Sequence, residues 1–440
     1  MNNPKVSPFE LKSGRRLISL DAFRGLTIAG MILVNDPGSW SHIYAPLEHA
    51  SWNGITPTDL VFPFFIFIVG VSIALVYTKL NDQHADRKEL IKKLVIRSFM
   101  IFGFGAFLHF YPKFFTFSEH PFIELLERLS IILAVFIGLT IWKSNWDIKQ
   151  QTKGIKIILW VLLAVGTGLF IFRYDGFVMA EYRIAGVLQR IAIVYFICSM
   201  LFLFTKWQTQ ATIGAIILLG YWLIMYTIPT PGEGKVMLEP GHNLAAWLDN
   251  LLLPGKMYQV TWDPEGLLST LPSIVTGICG MLVGSIILGK NSTHVKLIWL
   301  FSAGFLAYIV GGIWDWFFPI NKNLWSSSFV VYTAGAATLG LATSIWFVDV
   351  LGFKKWTKFG VIFGSNAMAA YLLHGLLNGI FHINFSNGGE ALSINSSYFN
   401  GMLQLGFTPE MTSLIWAILY VLLCFIPIWW LYKKKIFIKV

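Results

Sequence analysis

A polar stretch between two apolar blocks holds the residues best suited to chemistry. His49 lies within it, and an imidazole can accept a proton from an amine or a hydroxyl near neutral pH. Asp59 begins the next apolar block, where a carboxylate either stabilises a helix N-terminus or orients a histidine. Asn35, at the start of the stretch, could donate a hydrogen bond to a carbonyl oxygen that becomes negative in a transition state. The stretch therefore predicts a polar site with a candidate base, a candidate orienting carboxylate and a candidate oxyanion donor.

Ionisable residues inside the apolar blocks form a second set of candidates, because charge is costly within a membrane. Asp21 and Arg24 are three positions apart and share a helical face, so they can form an ion pair. Arg190 lies roughly 10 Å along a helix from Arg183. At that depth Arg190 requires a partner or a ligand, and Gln189 alone cannot neutralise it. For both Arg24 and Arg190, a structural ion pair and an anion-binding site stay open.

Later apolar blocks contain a few more polar residues. Asp315 stands between two tryptophans, and Asn366 and His374 share one block. A single histidine in a span more often bonds to a neighbouring helix than to a ligand, and the spacing of Gly280 and Gly284 indicates close helix packing. The sequence has no zinc-ligand spacing, no glycine-rich phosphate loop and no serine nucleophile elbow. We therefore predict that no metal is bound.

The composition is that of an integral membrane protein. Of 440 residues, 55% are hydrophobic and 13% are charged, whereas soluble domains contain about 45–50% apolar and about 25% charged residues. The apolar residues occur in blocks of about 20, which is long enough to cross the hydrocarbon core of a bilayer. The net charge of +10 is carried by short loops between these blocks, where basic residues orient a membrane protein. We therefore expect contact with membrane lipids and no nucleic acid partner.

The apolar blocks predict an all-α, polytopic membrane protein with about twelve transmembrane helices. The predicted spans are 17–35, 58–78, 94–111, 122–142, 155–173, 184–205, 211–229, 266–289, 295–318, 325–348, 359–381 and 411–432.

The distribution of Lys and Arg predicts the orientation. With a cytoplasmic N-terminus, the positive-inside rule requires a basic gap after every second span. Those gaps do contain Lys and Arg, whereas the gaps 36–57 and 382–410 contain neither. We predict that both termini are cytoplasmic, with tails at 1–16 and 433–440, and that residues 1–440 form a single transmembrane domain.

Several sequence blocks, in order along the chain, resemble the heparan-alpha-glucosaminide N-acetyltransferase family. The blocks are Ser-Leu-Asp-Ala-Phe-Arg-Gly at 19–25, His-Ala-Ser-Trp-Asn-Gly at 49–54, Asp-Leu-Val-Phe-Pro-Phe at 59–64, Arg-Ile at 183–184 with Gly-Val-Leu-Gln-Arg at 186–190, Asp-Pro-Glu-Gly at 263–266, Asn-Lys-Asn-Leu-Trp-Ser at 321–326, and Gly-Ser-Asn at 364–366 with His374. The resemblance implies a membrane enzyme that transfers an acetyl group from cytoplasmic acetyl-CoA to an amino sugar on the opposite, periplasmic or extracellular, side of the cytoplasmic (inner) membrane.

The resemblance also implies roles for individual residues. It places the family's active-site histidine on His49, the companion asparagine on Asn35 and the aspartate on Asp59. From the residues themselves, we expect the phosphates of acetyl-CoA to be held by Arg24, by Arg190 or by the basic cluster of Lys92, Lys93 and Arg97, because arginine suits phosphate recognition. Gln189 and Asn366 are further expected contacts of acetyl-CoA. The residues expected to contact the amino-sugar or glycan acceptor are Trp52, Asn53, Asp263, Glu265, Asn323, Trp325 and His374.

Two departures from the family pattern are expected. The resemblance is to a bacterial-type member without the N-terminal lumenal domain of the lysosomal enzyme, so acceptor recognition is expected to differ. The predicted spans 122–142 and 155–173 are additional. Two added spans preserve the orientation of every span that follows.

Other functions stay open at the level of sequence. A transporter for a sugar or a related small solute could use Arg190, Asp315 and His374 as a polar pathway, although we find no convincing inverted repeat. A scaffold or sensor without chemistry is a third interpretation. The resemblance is also compatible with a homodimer.

Cysteines introduced singly into 36–57, 230–265 or 382–410 should react with a membrane-impermeant thiol reagent in intact cells, because these segments are predicted to face away from the cytoplasm. Cysteines at 83–90 should stay unlabelled until the membrane is permeabilised. Labelling at 83–90 but not at 390–400 would show that the predicted orientation is inverted.

Overall fold

The computed structural model describes residues 17–83, 86–112, 120–143, 182–355, 357–385 and 392–438. These residues form helices joined by loops, and none of these ranges contains a β-strand, which confirms the all-α prediction. Eight of the described helices are long and apolar enough to cross a membrane. The chain is therefore a membrane-embedded helical protein.

The helices are numbered here in chain order. They are α1 (Ile18–Asn35), α2 (Val61–Asp82), α3 (Arg87–Phe110), α4 (Pro121–Lys143), α5 (Val187–Phe204), α6 (Trp207–Thr227), α7 (Leu244–Leu252), α8 (Leu267–Leu288), α9 (Thr293–Trp314), α10 (Ser327–Ser344), α11 (Lys358–Ser365), α12 (Ala367–Phe381), α13 (Ile394–Gln404) and α14 (Pro409–Lys433). Two 3-10 helices, Ala45–Leu47 and Pro57–Leu60, precede α2, and a π-helical turn, Ile345–Val350, extends α10.

The predicted spans overlap described helices, except for 155–173, which lies outside the described residues. Helices α3 and α4 coincide with the predicted spans 94–111 and 122–142 but are not among the eight apolar helices. The N-terminal half of α3 is rich in charged residues, which explains its lower hydropathy. The count of twelve and the cytoplasmic termini stay predictions.

The predicted span 359–381 is wrong in one respect, because the structure breaks it into α11 and α12. The two helices meet at Asn366 with a bend of 82°. The side-chain amide of Asn366 donates to the carbonyl of Ile436 (3.0 Å) and accepts from the backbone N–H of Ile438 (2.8 Å). The break therefore lets one side chain bind the backbone of the C-terminal segment.

The chain divides into two compact units, and each is described by itself. The first unit contains the described parts of 1–27, 49–106 and 180–361. Its main apolar core is formed by side chains of α1, α2, α8, α9 and α10, including Phe67 and Leu341. The prediction of a single transmembrane domain stays a prediction.

Glycines allow α2 and α8 to approach closely within the first unit. A methyl group on Gly280 would collide with the carbonyl oxygen of Phe67, and one on Gly70 would collide with that of Gly277. At Gly284 the added carbon would lie 2.6 Å from the Cβ atom of Ala74. The packing role predicted for Gly280 and Gly284 is confirmed.

The second unit contains the described parts of 28–48, 107–179 and 362–440. Helix α12 packs against α4 and α14, and α13 packs against α14. Arg128 of α4 forms an ion pair with Glu124 (2.6 Å).

The substitution Gly280→Ala should lower the free energy of unfolding by about 1–3 kcal/mol, because the added methyl group forces α2 and α8 apart. Denaturant unfolding in detergent micelles measures this change. Gly220→Ala on α6 is the matched control, since its Cβ atom would have no neighbour within 4 Å. Equal unfolding free energies for the two variants would contradict the close approach of α2 and α8.

Candidate active site

The first unit brings His49 and Asp59 into direct contact. His49 lies in the loop that follows α1, and Asp59 lies in the 3-10 turn that leads into α2. His49 Nδ1 and Asp59 Oδ1 are 2.7 Å apart. The Asp59 side chain is 1% exposed and the His49 side chain is 41% exposed. A carboxylate that accepts the Nδ1 proton favours the tautomer whose Nε2 is free to accept a proton.

The second oxygen of Asp59 holds the loop between the two residues. Asp59 Oδ2 accepts hydrogen bonds from the backbone N–H of Ala50 (3.0 Å), the backbone N–H of Thr56 (3.1 Å) and the hydroxyl of Thr56 (3.1 Å). The sequence left two roles open for this carboxylate, at a helix N-terminus or as a partner of a histidine. The geometry gives it both positions at once.

Lys322, which the sequence analysis did not single out, completes a cluster of three groups. Its Nζ lies 3.0 Å from His49 Nδ1, 3.4 Å from His49 Nε2 and 3.4 Å from Asp59 Oδ1. Burial lowers the pKa of Lys322, and the negative charges of Asp59 and Glu265 oppose this effect. One signal could have indicated the residue, because it is a lysine in a gap predicted to face outward, where Lys and Arg are rare.

The loop that carries the lysine is bonded to the loop that carries the histidine. The backbone N–H of Gly54 donates to the carbonyl of Ile320 (2.7 Å), and Asn321 Nδ2 donates to Asn53 Oδ1 (3.1 Å). Asn321 Oδ1 in turn accepts from the backbone N–H of Leu324 (2.8 Å). Asn53 is one of the residues expected to contact the sugar substrate, and its amide oxygen is thus already hydrogen-bonded within the protein.

Trp325 and Arg190 form a buried pair in the same unit. Trp325 has a φ of 51°, a left-handed conformation that bulky residues rarely adopt, and its indole N–H donates to the hydroxyl of Thr276 (3.1 Å). The guanidinium of Arg190 lies 5.0 Å from the centre of the Trp325 ring and donates to Gly266 O (3.2 Å) and Ser269 Oγ (2.5 Å). Both side chains are 1% exposed, which favours packing roles. Their expected contacts with acceptor and acetyl-CoA stay predictions.

Arg183 joins two of the expected acceptor residues. It donates to both oxygens of Asp263 (2.7 and 2.6 Å) and to Glu265 Oε2 (2.5 Å). Burial raises the pKa of Asp263, but the hydrogen bonds and charge of Arg183 outweigh burial and leave that pKa below its usual range. The carboxylates of Asp263 and Glu265 are therefore engaged in an ion-pair network.

Trp52 follows His49 closely in the chain and packs against a second tryptophan, Trp262. The indole N–H of Trp52 donates to the carbonyl of Leu238 (3.1 Å). The rings of Trp52 and Trp262 meet edge to face with centres 5.1 Å apart, and both residues are half-buried, as is Asn323 in the lysine loop. These residues supply apolar ring surface beside polar groups.

The predicted ion pair between Asp21 and Arg24 is confirmed. Arg24 Nη1 lies 3.4 Å from Asp21 Oδ1, and Arg24 Nη2 donates to the hydroxyl of Ser72 on α2 (2.8 Å). This pair satisfies the structural interpretation of Arg24, and its contact with acetyl-CoA stays a prediction.

Two other expected acetyl-CoA contacts differ in accessibility. Arg97 of α3 is exposed, and its guanidinium lies 4.8 Å from the ring centre of Tyr195. Gln189 is buried in α5 against Gly105 of α3. Of the two, Arg97 is the side chain that a large anion can reach.

The second unit contains Asn35 and His374. Asn35 is the last residue of α1 and is half-buried. His374 Nδ1 lies 3.1 Å from Asp36 Oδ2, and Asn378 Nδ2 donates to Asp36 Oδ1 (2.8 Å). His374 is 9% exposed, so it pairs with a side chain of another helical segment, as is usual for a histidine in a span. Sequence reasoning missed Asp36 as its partner because the two lie far apart in the chain.

Sequence comparison shows what the chain is similar to. A family profile described as a domain of unknown function (DUF5009) matches residues 16–230. The heparan-alpha-glucosaminide N-acetyltransferase of Mus musculus is 27% identical over 485 residues, covering 97% of this chain and 61% of the relative. The enzyme of that name from Homo sapiens is 27% identical over 479 residues, covering 97% and 60%. The chain is a homologue of heparan-alpha-glucosaminide N-acetyltransferase.

The homology to heparan-alpha-glucosaminide N-acetyltransferase extends over the whole of the His49 cluster. The aligned region covers 97% of this chain, and the chain spans about three fifths of the length of these two relatives.

The substitution Arg183→Met should lower the free energy of unfolding by about 3–5 kcal/mol near pH 7, because it leaves the buried carboxylate of Asp263 without its partner. An aspartate whose pKa is lowered on folding contributes stability above its unfolded pKa, and this contribution is lost as the pH falls below about 4. The loss should therefore be smaller at about pH 2 than at pH 7. Unfolding in detergent at both pH values, with the exposed Lys256→Met as control, measures it. A loss independent of pH would contradict this ion pair.

Proposed function

We propose that the protein is a transmembrane acetyltransferase. It transfers the acetyl group of cytoplasmic acetyl-CoA to an amine, or a hydroxyl, of a sugar or glycan on the outer side of the cytoplasmic membrane. The observation that carries the proposal is the 2.7 Å pair between half-exposed His49 and buried Asp59. The homology to N-acetyltransferases supports the reaction class.

The paired imidazole suits acyl transfer by either of two routes. In direct transfer, His49 Nε2 removes a proton from the acceptor amine as its nitrogen attacks the thioester carbonyl. The C–N bond forms, the C–S bond breaks, and the CoA thiolate leaves and takes up the proton. In the covalent route, Nε2 attacks the thioester carbonyl, the C–S bond breaks, and the CoA thiolate leaves, which gives acetyl-histidine. The acceptor amine then attacks that acetyl group, the bond between the acetyl carbon and Nε2 breaks, and the proton released by the amine goes to the CoA thiolate. In both routes Asp59 keeps the ring in the required tautomer.

The phosphates of acetyl-CoA need accessible cations. Lys92, Lys93 and Arg97 are exposed on α3, and Arg97 stacks on Tyr195, whose hydroxyl is 3.3 Å from that of Tyr77 on α2. Tyr77 lies about 24 Å along α2 from the end that follows Asp59. We assign the phosphates to this basic surface rather than to buried Arg190. The arrangement agrees with phosphates on the predicted cytoplasmic side and acetyl transfer at the opposite end of α2.

The acceptor is assigned by its chemistry. An amino sugar presents hydroxyl groups, an amine and an apolar ring face, and the Trp52–Trp262 pair supplies aromatic surface near the histidine. Glu265 adds a carboxylate that acts on Lys322 and so belongs to the same charged cluster. We propose the outer side of the membrane as the acceptor side because 36–57 and 230–265 are predicted to face outward.

The substitution His49→Ala should lower the turnover of labelled acetyl-CoA by about a hundredfold or more, with glucosamine as acceptor, because it removes the base or the acyl carrier. His242→Ala is the matched control. His242 pairs with Glu233 at 2.6 Å, so it is a second histidine–carboxylate pair of the same unit. The control should turn over at the wild-type rate.

Wild-type turnover by His49→Ala would refute the catalytic assignment and favour the transporter interpretation. Incubation of the wild-type protein with labelled acetyl-CoA and no acceptor separates the two routes. Label retained on His49 supports the covalent route, and loss of label supports direct transfer. Asp59→Asn should also lower turnover if the carboxylate orients the ring, whereas a role in loop closure alone lowers only the unfolding midpoint.

A further inference from the structure

The Lys322 ammonium sits against the candidate base itself. Its Nζ is within 3.4 Å of both ring nitrogens of His49 and of Asp59 Oδ1. If Asp59 accepts the Nδ1 proton, Nδ1 has no free lone pair, so the contact between the ammonium and Nδ1 is electrostatic. A cation therefore faces the imidazole from one side and a carboxylate from the other.

These two neighbours have opposite effects on the charge of the ring. A carboxylate at 2.7 Å favours the imidazolium, which has no free nitrogen and can act neither as a base nor as a nucleophile. An ammonium at 3.0 Å disfavours the imidazolium, because two positive charges repel strongly where water is partly excluded. With Asp59 and Lys322 together, the cluster is electrically balanced while the ring is neutral.

The loop that carries Lys322 is anchored by its own contacts. The chain neighbour of Lys322, Asn321, is bonded to Asn53, and Ile320 accepts from Gly54. Three positions further on, Trp325 is buried in a left-handed conformation. These contacts fix the backbone from which the Lys322 side chain reaches the ring.

We propose that Lys322 is a positioning residue that keeps the His49 imidazole neutral, and so able to accept a proton, at neutral pH. The proposal rests on the function proposed above. The charged groups around the ring are Asp59 of the 3-10 turn and Lys322 of the loop before α10, together with Glu265, which acts through Lys322 and is paired with Arg183.

Chemical labelling of His49 tests the proposal without any acetyl transfer. Diethylpyrocarbonate modifies neutral imidazoles, and peptide mass spectrometry of the full-length protein in detergent reports its extent at His49 as a function of pH. In Lys322→Met, the pH of half-maximal labelling should rise by about one unit or more, because Asp59 then acts alone. Lys322→Arg, which retains the charge, should keep the wild-type curve. Lys235→Met, an exposed lysine of the same unit, should do so as well.

Turnover gives the second readout. Lys322→Met should lower kcat with glucosamine by about tenfold or more at pH 7, with a KM for acetyl-CoA within about twofold of wild type, and part of the loss should be recovered at higher pH. Lys322→Arg should retain most of the activity. A role in folding alone would predict a lower unfolding midpoint with an unchanged pH profile.

The outcomes separate this inference from the proposed function. A shifted labelling curve in a protein that transfers no acetyl group would support the role of Lys322 and refute the acetyltransferase. An unshifted curve in Lys322→Met would overturn the role of Lys322, whatever the turnover. Lys322→Gln, which is neutral but can still donate to Asp59, replaces the methionine variant if that variant does not fold. The glutamine variant should shift the curve in the same direction, and an unshifted curve would again overturn the role.

Discussion

The carboxylate of Asp59 is 1% exposed and must find its hydrogen bonds inside the protein. It does so by accepting from the His49 ring, from two backbone N–H groups and from the Thr56 hydroxyl, with the Lys322 ammonium close by. Each of these donors belongs to a loop and would otherwise be free to move. Because the cost of leaving a buried carboxylate unpaired is large, the loops are held where the donors reach it. The position of the exposed imidazole is therefore a consequence of a buried charge.

A second constraint comes from buried charge nearby in the same unit. Arg190 is 1% exposed and is stabilised by the face of Trp325, by Ser269 and by the carbonyl of Gly266. Around it the fold places carboxylates, including Asp249, whose pKa is raised to about 6 by burial. Arg183 is neutralised separately by Asp263 and Glu265. The sequence made Asp263 and Glu265 candidates for ligand binding, but both carboxylates are already paired within the protein.

Contacts predicted from residue type and spacing were most reliable where the partner lies close in the chain. Asp59 is ten positions from His49, so the sequence could suggest their pairing. Asp21 and Arg24 are three positions apart, and their ion pair followed from helical geometry. The partner of His374 lies 338 positions away, and Lys322 lies 273 positions from His49. Nothing in residue type or local spacing reports contacts of that range.

The sequence by itself determined that the chain is helical and embedded in a membrane, because long apolar blocks admit no other stable backbone in lipid. It also marked the polar loop with His49 and Asp59, because polar residues between apolar blocks are visible without a structure. Only the tertiary structure decided which polar groups pair. Lys322 lies against His49 and Asp59, and Arg183 forms an ion pair with Asp263. The Asn366 amide is hydrogen-bonded to the backbone of the C-terminal segment. The reason is that the free energy of a buried charge depends on every group within a few ångströms, and those groups come together only when helices distant in sequence pack.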